Sequence, residues 1–127
     1  MNHQDKLQRA AFIQAFVICA LWATTDNADP SGGEPLENNF SESDFDPVTK
    51  AKLDIDCEAF MDANIVDLVN YPADQAGHDF FLTRNHHGAG FWDRDYGTKD
   101  LRSRLTNSSH SFGETDIYVG DDKNLYI

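Results

Sequence analysis

The sequence predicts an α+β fold: two N-terminal helices packed on a small antiparallel sheet of two hairpins, with a short helix between the hairpins. Three observations predict it. Apolar residues recur at helical spacing over the first quarter of the chain. A strong helix start, Asp46 followed by Pro47, opens a second periodic segment. After Pro72 the pattern changes to short aromatic runs broken by glycine and asparagine, which suit strands and turns. At 127 residues the chain has the size of one domain, 1–127, long enough to bury a core without staples.

Residues 5–23 read as the first helix. Leu7, Ala11, Ile18 and Trp22 mark its inward face, and Ala10, Phe12, Phe16, Val17 and Leu21 widen it. The run AAFIQAFVICALW is too short for a membrane span, and it ends on Trp22 rather than on a small-residue cleavage site, so a buried helix is expected. Residues 24–45 form a long acidic loop, stopped by Pro30, Gly32, Gly33 and Pro35. The second helix turns Leu53, Cys57 and Phe60 inward, with Ile65 and Leu68 as further candidates for its buried face, and sets Asp54, Glu58 and Asp62 four apart on another face. Residues 78–127 then read as ββαββ. Asp79–Thr83 and Gly90–Asp93 are the first hairpin, 98–110 the helix, and Asp116–Gly120 with Leu125–Ile127 the second hairpin.

Charge separates the function classes. Residues 26–79 hold fourteen acids against Lys50 and Lys52, so this segment carries the whole net charge of −12 and the rest of the chain balances. Such a field repels nucleic-acid phosphates and anionic membrane surfaces and attracts basic protein surfaces. Cys19 and Cys57 make no disulfide framework, which suits a reducing compartment, although one bridge between them is the other arrangement.

The segment His78–Arg94, HDFFLTRNHHGAGFWDR, concentrates the chemistry-bearing side chains. His78, Arg84, His87, Asp93 and Arg94 could converge on a ligand, or act in a small enzyme. The metal and catalytic readings have little support: His86 and His87 are adjacent, no HExxH or CxxC spacing occurs, and no nucleophile sits in an elbow. Structural histidines, glycines at turn positions and cross-strand Arg–Asp pairs are the plainer account. No metal or cofactor is expected.

The motif GHDFFLTRNHHGAGFWDR, the closing FGETDIYVGDDKNLY, and the upstream ALWATTD, GEPLENNF and DCEAF together resemble a recurrent family of small acidic proteins of tailed bacteriophages and prophages. The resemblance covers most of the chain. It implies phage origin and fold continuity, and no particular activity; with the reducing compartment, the expected location is the host cytoplasm.

The expected function is therefore that of a phage accessory protein that binds a basic host or phage protein. A sharper form is an acidic nucleic-acid mimic that inhibits a DNA- or RNA-handling factor. The residues expected to carry it are Glu34, Glu37, Glu42 and Asp44 of the loop and Asp54, Glu58 and Asp62 of the second helix. The alternatives are the ligand-binding or enzymatic domain centred on His78–Arg94, and a minor structural or assembly factor.

Overall fold

The computed structural model describes residues 2–26 and 33–127; the part 27–32 of the expected acidic loop, Asp29 included, lies outside them. Helix α1 spans His3–Ala23, and the Asn2 side chain caps it by accepting from the Asp5 amide. By length and composition it could cross a membrane, yet here it packs against other helices. Its buried face is Phe12, Phe16, Cys19 and Ala20, the i, i+4, i+7, i+8 pattern. Leu7, Ile18 and Trp22, expected inward, are more than half exposed. Two apolar stripes compete for the core on this helix, and the phenylalanine stripe buries more apolar area.

Two 3₁₀ turns, Leu36–Asn38 and Glu42–Asp44, follow. They are ordered because Leu36 and Phe45 reach the core and because Leu36 N donates to Thr24 O across the loop. Helix α2, Pro47–Ala63, starts where expected: the Asp46 carboxylate accepts from the Thr49 amide, and Pro47 holds the first turn. Leu53, Cys57 and Phe60 are fully buried. A short helix α3, Ile65–Leu68, extends this arm; because α2 stops at Ala63, Leu68 packs on the core while Ile65, a candidate for the buried face, is exposed.

The expected fold fails after Pro72. Residues 73–84 form helix α4, Ala73–Arg84, not a strand, and Phe91–Asp93 form a 3₁₀ turn. The first hairpin is absent, so the fold is mainly helical rather than a sheet with helices on one side. The reason lies in burial. Gly77 and every residue from Asp79 to Arg84 are buried, so α4 shows no polar face to set a period. An apolar run without a period fits a strand and a buried helix equally well. In the turn after it Gly90 has the positive φ expected of it, 158°, Gly88 does not, and His86 takes the left-handed conformation at φ 56°.

Helix α5, Lys99–Ser111, is capped by Thr98, whose hydroxyl accepts from the Leu101 amide. The second expected hairpin exists in short form. Strands β1 (Tyr118–Val119) and β2 (Leu125–Tyr126) pair antiparallel, Tyr118 opposite Tyr126, and make the only sheet among the described residues. Leu125 also bridges Phe45 and accepts from the Asp46 amide, which ties the C-terminus to the start of α2.

The core is built on phenylalanine. Phe60 stacks on Phe80 at 4.1 Å between centroids, and Phe12, Phe91 and Phe112 surround the pair. Each fully buried ring contributes about 1.5–3 kcal/mol by area. Cys19 and Cys57 lie in this core as free thiols. Burial pushes Cys19 up to about 12 and raises Cys57 further. Since the thiolate is the reactive form, neither thiol is expected to react with Ellman's reagent in the native protein at about pH 8, while both react in denaturant. Rapid native labelling of either would contradict this packing.

Candidate functional site

The motif around His78–Arg94 builds the core before it builds any site. Asp79 has no exposed surface. It accepts from the Tyr71 hydroxyl, from Gln75 Nε2 at 3.0 Å, and from Arg94 through Nε at 3.0 Å and Nη2 at 2.7 Å. Burial, followed by the bond to Asp79, raises Tyr71, which stays a neutral donor. The Asp79 contact likewise holds Arg94 above its ordinary range.

Arg84 is equally interior. Its Nε and Nη2 donate to Gly113 O and Phe112 O at 2.9 and 3.0 Å, and Nη1 donates to Asp56 at 3.1 Å. The guanidinium lies over the Phe80 and Phe112 rings. A cation at the carbonyl end of α5 also suits that helix dipole.

The five side chains considered for a ligand do not meet. Arg84 faces α5 and α2, and Arg94 faces Asp79. Asp93 accepts from the Gly90 amide at 2.9 Å and so closes its own turn. The His78 ring lies 6.0 Å from Trp22 on the outer side of α1 and α4. Of the five, only His87 borders a polar cavity, of about 470 Å³, shared with Thr24, Thr25, Asn85 and Asp116. Among the described residues no three His, Cys, Asp or Glu side chains are grouped to hold a metal.

The seven acids expected to bind a partner are exposed or half-exposed, and several have partners. Arg9 of α1 bridges Glu58 and Asp62 of α2. Asp62 first, and then Glu58, holds the Arg9 guanidinium above its ordinary range. Lys50 pairs with Asp54 and lies 3.5 Å from Glu42. Like charges at i, i+4 would otherwise oppose the helix, so these two cations relieve the ridge. In the loop, Asp44 accepts from the Ser41 amide and Glu34 from Asn39, while Glu37 is exposed.

One feature lay outside the expected sites. A cleft of about 550 Å³ opens between the first turns of α1, the α2–α3 arm and the start of α4. Phe12, Met61, Leu68, Tyr71 and Ala76 form its apolar wall. The sequence signal for it is IVDLVN from Ile65 onward: Ile65, Val66, Leu68 and Val69 fall on all sides of a short helix and cannot all be buried. No protein-family profile, no curated protein and no solved structure matches this chain.

Proposed function

We propose that this chain is a phage accessory protein that acts in the host cytoplasm by binding a basic protein. The observation that carries the reading is charge placement: the segment 26–79 holds the whole −12. Within it Asp79 is buried against Arg94 and Asp56 meets Arg84, while Glu34, Glu37, Glu42 and Asp44 lie on surface turns and Asp54, Glu58 and Asp62 on one side of α2. Such a surface speeds encounter with a cationic partner and disfavours anionic ones.

The nucleic-acid mimic is the finer form of this proposal. A duplex carries one charge per ~1.7 Å of axis, whereas carboxylates at i, i+4 repeat every ~6 Å of helix. Asp54, Glu58 and Asp62 are moreover shared with Lys50 and Arg9. Mimicry therefore draws on Glu34, Glu37, Glu42 and Asp44 together with the ridge.

The test compares tagged wild-type protein with two charge-reversed variants in pull-downs from host lysate. One variant carries Glu34→Lys, Glu37→Lys and Glu42→Lys; the other carries Asp54→Lys, Glu58→Lys and Asp62→Lys. A partner captured by the wild type at low salt, released at high salt and missed by both variants is the expected result. A partner retained by both variants would refute electrostatic recognition.

A further inference from the structure

The cleft between α1, α3 and α4 combines an apolar floor with an acidic rim. Ile65 and Val69 line it while remaining 63% and 71% exposed, and Val66 beside them is 80% exposed. These side chains are apolar surface that the chain's own folding leaves unused. The cleft volume lies within the range of ligand clefts and leaves room for more than one large aliphatic side chain.

The charges near it are mainly acidic, although Asp5 and Arg9 both line it. Asp5 lines the cleft, Glu58 and Asp62 stand on the α2 turns leading into it, and Asp74 is exposed in the first turn of α4. The only cation lining it is Arg9, already held by Glu58 and Asp62. A second copy of this chain would bring another −12 and the same acidic rim to a self-complementary interface. Anionic lipid headgroups meet the same repulsion. The walls are helices, and the two-stranded sheet does not border the cleft. This favours a helix laid in a groove over strand addition.

We propose that this cleft takes a cationic amphipathic helix of the partner protein. Its apolar i, i+3, i+4, i+7 side chains enter between Ile65, Val69 and Tyr71. Its lysines or arginines reach Asp5, Glu58, Asp62 and Asp74. The proposal rests on the reading that the chain binds a basic protein, and it names the surface that does so.

The test is fluorescence anisotropy of three labelled synthetic peptides against the full chain. One is a Leu/Lys peptide of about 14 residues with its leucines on a single helical face. The second has the same composition with the leucines scattered, and the third is oligolysine. The single-faced peptide is expected to bind at least about tenfold tighter than the scattered one. Ile65→Asp with Val69→Asp is expected to remove that advantage. Both positions are exposed, so the fold is retained, which circular dichroism checks. The added carboxylates also improve attraction for a cationic peptide, so a loss of binding isolates the apolar contact.

Equal binding of all three peptides, undiminished by Ile65→Asp and Val69→Asp, would overturn the cleft while leaving the basic-partner reading in place. Binding of none would overturn both. A concentration-dependent dimer in sedimentation equilibrium, dispersed by Val69→Asp, would give the cleft to a second copy and overturn the proposed occupant.

Discussion

Arg94→Ala is expected to lower folding stability by about 3–5 kcal/mol, more than Asp79→Ala. The ordering follows from exposure. The Asp79 side chain is 0% exposed and the Arg94 side chain 32% exposed. When Asp79 is removed, Arg94 can swing its head into water, and the principal loss is one partner for Tyr71 and Gln75. When Arg94 is removed, the carboxylate stays buried with two neutral donors and no cation. An uncompensated buried charge costs far more than a cation returned to solvent. Urea unfolding followed by tryptophan fluorescence checks this, with the shift in midpoint read at constant slope. An Arg94→Ala loss below that of Asp79→Ala would show that the pair relaxes toward solvent. A double variant, Asp79→Leu with Arg94→Met, is expected to regain much of the loss, because apolar packing of similar volume can replace a buried pair.

The same pair explains why the motif misleads as a sequence. His78–Arg94 looks like a reactive cluster because aspartate, arginine and histidine crowd into it. Folded as helix and 3₁₀ turn, it sends Asp79 and Arg84 inward in nearly opposite duties. One anchors the Tyr71–Arg94 corner, and the other caps α5 and bonds Asp56. An Arg–Asp pair within the motif was expected, and Arg94 meets Asp79, though not across a hairpin; the partners of Arg84 could not be read from spacing, since it reaches residues 28 and 29 positions away.

What was legible was local. Asp46 with Pro47 gave the start of α2, the period of Leu53, Cys57 and Phe60 gave its inner face, and the turn at Asp121–Asn124 gave the closing hairpin. The acidic surface was legible too, since a charge count needs no fold. The cations that temper it were not, because Arg9 meets Glu58 only through the packing of α1 on α2. Nor was the cleft, which three separate segments build.

Gly77→Ala is expected to destabilise the protein by about 3 kcal/mol, against the direction that helix propensity sets. Gly77 sits inside α4, where alanine is worth about 1 kcal/mol over glycine in an unencumbered helix. Here a Cβ on residue 77 would fall 2.0 Å from the Phe12 carbonyl oxygen of α1. That oxygen is helix backbone, so it cannot turn aside as a side-chain tip would. Relief requires α1 and α4 to separate along their shared face. Separation would loosen Phe12 and Phe16 from Phe80, and with them the centre of the core. The missing Cβ is thus the condition for the close approach of α4 to α1, and its entropic cost to α4 is repaid by ring packing on both sides. Urea midpoints of the wild type and of Gly77→Ala decide between the two effects. A midpoint that rises would mean that propensity prevails and that α1 and α4 have room to part. A midpoint that falls, with amide shifts concentrated around Phe12 and Phe80, is the expected result. It would also predict that Gly77→Ser fails in the same way, since any Cβ meets the same carbonyl.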